Sequence, residues 1–554
     1  MFKNSDLNFD NIKPNSKPFS TKKIKFSDKY DLIENAEKEK NINFSKKSNF
    51  FIFLFTVSFI SFVSFNLFKI SLKDFKNSSA SDSLLVKKRG KILDKNNEIV
   101  AMSLETKDLY IDIKNSLNKS LLKENLIDIF RNKSPIFFEK IFSKNQYTLI
   151  EKNLSPTDIN KLKMLGDPAI KMHKSNKRVY PQHNLFSHVT GLKTSYLSSK
   201  LEKNLDYKLS QGHDIELTLD IRVQDIVREE LEKSLIEYQA KSALAITMNV
   251  KDGSIISMVS LPDFNPNYPE KILPNTENNL STEARYEMGS TLKIFNAAIA
   301  YELNSALENK KFNISKGLQI TNDKKIKDDH IKQEILNFDD VFIKSSNIGS
   351  VMILDSIGHQ SQENFYELVG LKDEVEIKGL KTVSNKLPEK WESHSKFISY
   401  GYGISVSPIS LVTAFCSLVN GGYKIYPTLF KSEKNKERKK ILSSNTSNKI
   451  NKLIQKIVSE GTGKHALVNG ISVGGKTGTS KKAEMGSYSE KKVITSFIGV
   501  FPSEKPKFLT FVLFDEPKSN INKTRENTGG NTAAPTFSKI LKKISPIIDN
   551  DQYF

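Results

Sequence analysis

Three short strings, in one order, hold the residues of this chain best suited to covalent chemistry: Ser290-Thr291-Leu292-Lys293, Ser345-Ser346-Asn347 and Lys476-Thr477-Gly478-Thr479. A serine hydroxyl is a weak nucleophile until a neighbouring base takes its proton. Gly289 followed by Ser290-Thr291-Leu292-Lys293-Ile294-Phe295 predicts a tight turn into a buried helix, with Ser290 at the helix N-terminus. Free backbone N–H groups and the helix dipole favour developing negative charge there. Three residues further on is one turn and the same face, so Lys293 can reach the Ser290 hydroxyl. Lysine acts as a base only when neutral, and burial with a second cation such as Lys476 nearby would push its pKa down. The first string alone thus outlines serine acyl transfer.

The other two strings supply what that chemistry lacks. Ser345-Ser346-Asn347 lies between two apolar helical segments. Ser345 could relay a proton to a leaving amine, and Asn347 could hydrogen-bond a substrate amide and orient Lys293. Gly474-Gly475-Lys476-Thr477-Gly478-Thr479 predicts an edge strand whose glycines let a ligand approach the backbone. Lys476 can bind a substrate carboxylate with help from the Thr477 and Thr479 hydroxyls, and the Ser290 and Thr479 N–H groups could form an oxyanion hole. Taken singly, Ser290 is an ordinary N-cap, Lys293 a solvated helix residue and the triplet a capping turn. S-x-x-K recurs at Ser116–Lys119 and Ser120–Lys123, and S-x-N at Ser143–Asn145 and Ser443–Asn445. K-T-G occurs once, so the ordered set carries the reading. Gly470–Thr477 spells G-x-x-x-x-G-K-[ST], but its glycines and Lys476 read as an edge strand rather than a loop opening a helix, so a phosphate loop is set aside, and Gly461-Thr462-Gly463-Lys464 reads as a loop fragment.

The elements that must position these residues follow from patterning. Ala243–Val250 and Ser254–Ser260 are apolar segments joined by Lys251-Asp252-Gly253, a hairpin signal. Val493–Phe501 and Lys507–Phe514 are two further strands, and a last helix covers about Ala534–Ile544. First strands paired with last, and helices between, predict an antiparallel sheet covered on both faces. Asp220 caps a helix running to about Tyr238, and Ser407-Pro408 starts another that Asn420-Gly421-Gly422 stops. Before residue 235 the helical candidates are Lys119–Arg131 and Ser155–Leu165. Arg178-Val179-Tyr180-Pro181 and His188-Val189-Thr190-Gly191 read as loop and turn signals, where the histidines could be surface residues.

With 554 residues the chain has room for two or three domains. Its formal charge of +21 comes from 84 Lys and Arg against 63 Asp and Glu. The lysines are dispersed and no nucleic-acid motif stands out, so attraction to an anionic membrane or wall surface is the better account. The single cysteine, Cys416, excludes an intrachain disulfide and reads as a buried small hydrophobe. Ser48–Phe68 carries no charge and is long enough to span a bilayer as one helix. The preceding tail holds 11 Lys against 7 acidic residues, which keeps it cytoplasmic by the positive-inside rule. Residues 1–47 are polar and poorly periodic, hence disordered, and 77–83 form a flexible linker.

At these residues the chain resembles the class B penicillin-binding proteins, the monofunctional peptidoglycan D,D-transpeptidases. The resemblance covers about residues 87–545. Arg89-Gly90-x-Ile92-x-Asp94, Arg178-x-Tyr180-Pro181 and His188-x-x-Gly191 look like the family's non-catalytic pedestal. Pro262-x-Phe264-x-Pro266-Asn267, Gly401-Tyr402-Gly403 with Val406-Ser407-Pro408, Gly461-Thr462-Gly463, Asp515-Glu516-Pro517 and Ala533-Ala534-Pro535 look like landmarks of its transpeptidase domain. Met288 stands where many members have Pro, a change that alters turn rigidity rather than chemistry. The Tyr286–Phe295 string and the Ser-Ser-Asn-Ile-Gly context look most like the division-specific, FtsI-type branch; the elongation branch is the alternative.

The resemblance implies an α+β multidomain chain: cytoplasmic tail 1–47, transmembrane helix 48–68, linker 69–85, dimerisation-type pedestal 86–235, and a β-lactamase-like transpeptidase domain 236–554. It implies acylation of Ser290 by the penultimate D-Ala of a stem pentapeptide, then attack by an amine of a neighbouring stem. By motif position Ser290 is the nucleophile and Lys293 the base. Ser345 and Asn347 assist, and Lys476, Thr477, Gly478 and Thr479 hold substrate. It further implies inhibition by β-lactams, no cofactor or metal, a single-pass place in the bacterial inner membrane with the catalytic domain in the periplasm, and work beside a SEDS-type glycan polymerase and other division proteins. A β-lactamase, a D,D-carboxypeptidase, a penicillin sensor or an inert scaffold are the competing readings.

Overall fold

The computed structural model describes residues 51, 53–66, 69, 88–144, 146–192, 200–322, 324–328, 330–433, 438–484, 487–518 and 526–548. The chain divides into two units, Met1–Val86 and Lys87–Phe554. In the first, residues 51, 53–66 and 69 are helical, with exposed apolar side chains such as Phe55 and Phe62. Among the described residues no helix is long and apolar enough to cross a membrane. The tail 1–47, the remainder of the expected span 48–68, and the linker apart from Lys69 lie outside the described residues.

The second unit is organised by one antiparallel sheet, in the order Gly474–Glu484, Ser487–Phe501, Phe508–Asp515, Ser242–Asn249, Ile255–Leu261. As the sequence predicts, the last strand closes on the first, with Phe508 opposite Asn249 and Asp515 opposite Ser242. Side chains alternate between faces along a strand, and here each face meets its own helical layer. Ala243, Ala245, Phe508, Val512 and Phe514 pack with Val223, Val227 and Leu231 of helix Ile221–Glu237 and Phe537 and Leu541 of helix Ala533–Ile548. Leu244, Ile246, Leu509, Phe511 and Leu513 belong to the other core, with Phe295 of helix Lys293–Leu303 and Phe415 of helix Pro408–Val419. Burial on both sides explains why Phe508–Asp515 is buried throughout and mostly apolar rather than alternating. The Lys476-Thr477-Gly478-Thr479 segment lies on the strand at the open edge of this sheet, as expected.

Helix starts follow their capping residues. Asp220 accepts from Arg222 N at 3.0 Å, and Ser407 from Ser410 N at 3.3 Å with Pro408 in the first turn. In the pedestal portion a long strand, Ile99–Asp112, pairs with Ile170–Val179 and Tyr147–Glu151. Helices Lys119–Ile129 and Pro156–Leu165 stand where the sequence places them, the latter capped by Ser155. A third, Pro135–Lys144, was not anticipated; Phe138 and Ile141 carry it into the same core as Leu109 and Ile111.

Two expectations here are overturned. Arg178 and Val179 end a strand rather than sitting in a loop. His188 is not a surface residue: it is 4 % exposed, lies edge-on to Phe264, and its Nε2 is 2.7 Å from the Thr276 carbonyl oxygen. Burial, and next the charge of Lys200, push its pKa down to about 4, so the imidazole is neutral. Arg89 and Arg178, 89 positions apart in the chain, meet at one fully buried carboxylate: Arg89 Nη2 lies 2.7 Å from Glu202 Oε2, and Arg178 Nε 2.6 Å from Glu202 Oε1. Asp94 accepts from the N–H groups of Asn96, Glu98 and Ile221 and so ties this segment to the helix that enters the large sheet.

Candidate active site

The turn bearing Ser290 is a 3₁₀ segment, Gly289–Leu292, that runs straight into helix Lys293–Leu303. Gly289 has φ +55°, and a Cβ there would lie 2.5 Å from the Thr479 carbonyl oxygen. Only glycine allows that approach. Gly478 makes the reciprocal allowance, since a Cβ on it would meet the Met288 carbonyl oxygen at 2.7 Å. These two glycines let the edge strand lie against the Ser290 turn, placing Ser290 and Thr479 on neighbouring backbones.

Lys293 is fully buried, contrary to the solvated-helix alternative. Its Nζ donates to the Ser345 carbonyl oxygen at 2.5 Å, to Asn347 Oδ1 at 2.7 Å and to Ser345 Oγ at 3.3 Å. No hydrogen bond joins it to Ser290, the partner the sequence suggested; the amine is turned toward the second string. Burial pushes the Lys293 pKa down to about 7, with Asp328 the opposing influence. Lys476 was the expected cause beside burial, yet its mutual effect falls on Lys476 itself. That residue is also fully buried, and burial first and the Lys293 charge second hold it well below the usual lysine range.

Ser345 links the two lysines. Its Oγ accepts from Lys476 Nζ at 2.9 Å as well as from Lys293. The backbone explains how it gets there. Helix Phe338–Ile343 ends with Ser346 N donating to the Val341 carbonyl oxygen (2.8 Å) and Ser345 N to that of Phe342 (3.2 Å). This is the paired closure that leaves the residue just past the helix in a left-handed conformation, usually a glycine. Ser345 takes it at φ +62°. Ser346 then caps helix Asn347–Ile357 through Gly349 N at 2.8 Å, so Asn347 opens that helix facing Lys293.

On the edge strand the Thr477 hydroxyl is 2.8 Å from that of Thr462, and the Thr479 hydroxyl accepts from Gly529 N at 3.0 Å. The structure therefore brings Lys293, Ser345, Asn347 and Lys476 into one hydrogen-bonded cluster, with Ser290 and Thr479 at its border. Sequence reasoning gave three neighbours no role at the site, Thr462 among them although Gly461-Thr462-Gly463 was one of the landmarks. Asp328 stands behind Ser346; Thr462, taken for part of a loop fragment, touches Thr477; Gly529 follows a low-complexity Asn-rich stretch. Among the described residues no group of His, Cys, Asp and Glu is arranged to hold a metal ion. The decoy strings do other work: Ser116 bonds to Asp167, and Ser443 caps helix Ser444–Ser459.

Residues 243–542 match the penicillin-binding protein transpeptidase domain, and residues 85–215 the penicillin-binding protein dimerisation domain. Similar proteins include the probable peptidoglycan D,D-transpeptidase FtsI of Caulobacter vibrioides (28 % identity; 83 % of this chain and 81 % of the relative). Others are the probable peptidoglycan D,D-transpeptidase PenA of Neisseria gonorrhoeae (26 %; 82 % and 83 %) and stage V sporulation protein D of Bacillus subtilis (27 %; 93 % and 86 %). The chain belongs to the penicillin-binding protein transpeptidase family, as a class B member that joins the dimerisation and transpeptidase domains.

Proposed function

From that membership we infer that the chain is a peptidoglycan D,D-transpeptidase working through an acyl-enzyme on Ser290. The observation that carries the reading is the convergence of Lys293, Ser345, Asn347 and Lys476 beside the Ser290 turn, with an amine of pKa about 7 at its centre. In the proposed cycle neutral Lys293 takes the Ser290 proton as Oγ attacks the penultimate D-Ala carbonyl carbon. The oxyanion faces the backbone N–H groups of Ser290 and Thr479. Collapse breaks the peptide bond, and Ser345, bridged to both lysines, passes a proton to the departing D-Ala amine. An amine from a neighbouring stem then attacks the ester, a new peptide bond forms, and Ser290 regains its proton. A substrate carboxylate against Lys476 favours the ammonium form there, offsetting the effect of burial. Thr477, Gly478 and Thr479 line the same strand and hold the substrate backbone, and Asn347 orients Lys293.

The residues around Ser290 and Ser345 support a septal role, and with it a place in the inner membrane through residues 48–68, a periplasmic catalytic domain beginning near residue 236 above a pedestal from 86, and partnership with a SEDS-type polymerase. Labelling the full-length protein with fluorescent penicillin, followed by peptide mapping, tests the core of this reading. The adduct is expected on Ser290 and absent in Ser290→Ala; an adduct on Ser116 or Ser120 overturns it. Incubation with a D-Ala-D-Ala pentapeptide and an amine acceptor separates transfer from hydrolysis, since a hydrolase releases only the free acid. Replacing residues 1–70 by an unrelated single-pass anchor is expected to spare acylation and weaken septal function.

A further inference from the structure

The geometry points to Asp328 as a positioning residue of the acylation machinery, one that holds the Ser345–Asn347 turn and sets the charge environment of Lys293. This rests on the acyl-transfer reading of the site given above. Asp328 lies on the short stretch after strand Lys324–Ile326, 18 residues before Ser346, and is only 6 % exposed. Its carboxylate takes three hydrogen bonds from consecutive residues: Ser346 Oγ at 2.5 Å, Asn347 N at 2.9 Å and Ile348 N at 3.1 Å. A buried carboxylate at this place satisfies the free N–H groups of helix Asn347–Ile357 and complements the positive end of its dipole. It also fixes the residues on either side of the bond. Ser345, immediately before, is held in its left-handed conformation at φ +62°. Asn347, immediately after, presents Oδ1 to Lys293. All three acceptors around the Lys293 amine belong to the turn that Asp328 clamps.

Charge adds a second consequence that a purely structural clamp would not have. The charged groups facing Lys293 are Asp328, from the segment before the turn, and Lys476, from the edge strand. Ser345 and Asn347 are neutral. Asp328 is therefore the counter-charge of the buried Lys293, and it opposes the lowering of the Lys293 pKa by burial. Removing the negative charge while keeping the shape should leave Lys293 easier to deprotonate and the turn less well held.

The test is the second-order rate of Ser290 acylation by fluorescent penicillin, measured from pH 5 to 9 on full-length wild type, Asp328→Asn and Ser346→Ala, with thermal melting to confirm folding. Asp328→Asn is expected to lower the plateau rate by about 10- to 100-fold and to move the acid limb down by roughly one pH unit. Ser346→Ala removes one of the three hydrogen bonds but no charge, and should lower the rate without moving the limb. An acid limb unmoved in Asp328→Asn, or moved equally in Ser346→Ala, overturns the proposal. If Asp328→Asn does not fold, Asp328→Glu in its place keeps the charge and should leave the limb where it is in wild type; a displaced limb then counts against the assignment. A wild type that penicillin does not label at Ser290 would instead defeat the underlying reading, so the two failures are distinguishable.

Discussion

Two places in this molecule bring a pair of cations together in the interior, and they resolve the problem in opposite ways. In the pedestal portion Arg89 and Arg178 share the carboxylate of Glu202, one guanidinium on each oxygen, and Arg89 takes Asp206 as well. Burial alone would lower the Arg89 pKa, but Glu202 and Asp206 outweigh it and hold it above the ordinary value. At the active site Lys293 and Lys476 share a hydroxyl, Ser345 Oγ, and among the described residues no carboxylate touches either amine. Desolvation there outweighs the charge of Asp328, which does not touch Lys293, and both lysines shift toward the neutral form. A buried cation that is fully paired is fixed in charge and serves the fold. One bridged only by neutral groups titrates near physiological pH and can move protons. The difference lies in the residue between the cations, not in the cations.

Lys293→Arg would break the comparison most severely. An arginine keeps the positive charge yet cannot supply a neutral amine, so penicillin acylation of Ser290 should fall by about 10²–10⁴-fold. Lys476→Arg, which retains a carboxylate partner, should cost clearly less; equal losses would show that the two lysines do not divide the work. Next comes Glu202→Gln, which leaves two buried guanidinium groups short of a counter-charge. Loss of one partner from a buried pair costs about 3–5 kcal/mol, to be read as a lowered denaturation midpoint. Acylation by the fraction that remains folded should change little, because Glu202 touches no residue of the cluster. A variant with wild-type stability, or with normal stability and lost acylation, would contradict the structural role given to this carboxylate.

The pH profile sharpens the same contrast with a smaller effect. Acylation needs Lys293 without its proton, and its pKa is about 7. The sign follows directly: the rate should rise with pH up to about 7 and level off above, falling about tenfold for each unit below. The Arg pair contributes nothing in this range, since a guanidinium stays protonated. An acid limb near the ordinary lysine value of about 10 would mean that burial does not tune Lys293 and that another group is the base.

Much of this was legible before the fold was known, and the reasons are local. Ser407-Pro408, Asp220 and Ser155 announce helix starts because a capping side chain acts within three residues. The Lys251-Asp252-Gly253 turn and the last strands are equally local signals. The order of the three strings located the cluster, because each string is short and its neighbours fix its backbone. What stayed hidden depends on where distant segments meet. Glu202 lies in a run with no motif, yet closes a contact between Arg89 and Arg178. Asp328 belongs to no motif, yet closes on Ser346, Asn347 and Ile348. His188 looked like a turn residue until Phe264 and Thr276 packed over it. The partners of the Lys293 amine stayed hidden for a related reason: helical spacing puts it within reach of Ser290, but its three acceptors lie on the Ser345 turn, more than fifty residues on.

Ser345→Gly gives the smallest effect and the one that best separates fold from chemistry. Position 345 follows a helix in a closure that favours glycine, and the serine there holds φ +62°. An L-residue in the left-handed region costs about 1 kcal/mol relative to glycine. Replacing it should relieve that strain, though glycine returns part of the gain through the greater freedom of the unfolded chain. The net expectation is a fold as stable as wild type or more stable by up to about 1 kcal/mol, read as an unchanged or raised melting temperature. The same substitution removes the hydroxyl that joins Lys293 to Lys476, so acylation should fall even though nothing in the fold is lost. Ser345→Ala lacks the hydroxyl and keeps the strain, and should match the glycine variant in rate while being the less stable of the two. If glycine destabilised the protein as much as alanine, the backbone at 345 would not be strained, and the serine could not be explained as chemistry kept at the expense of the helix end.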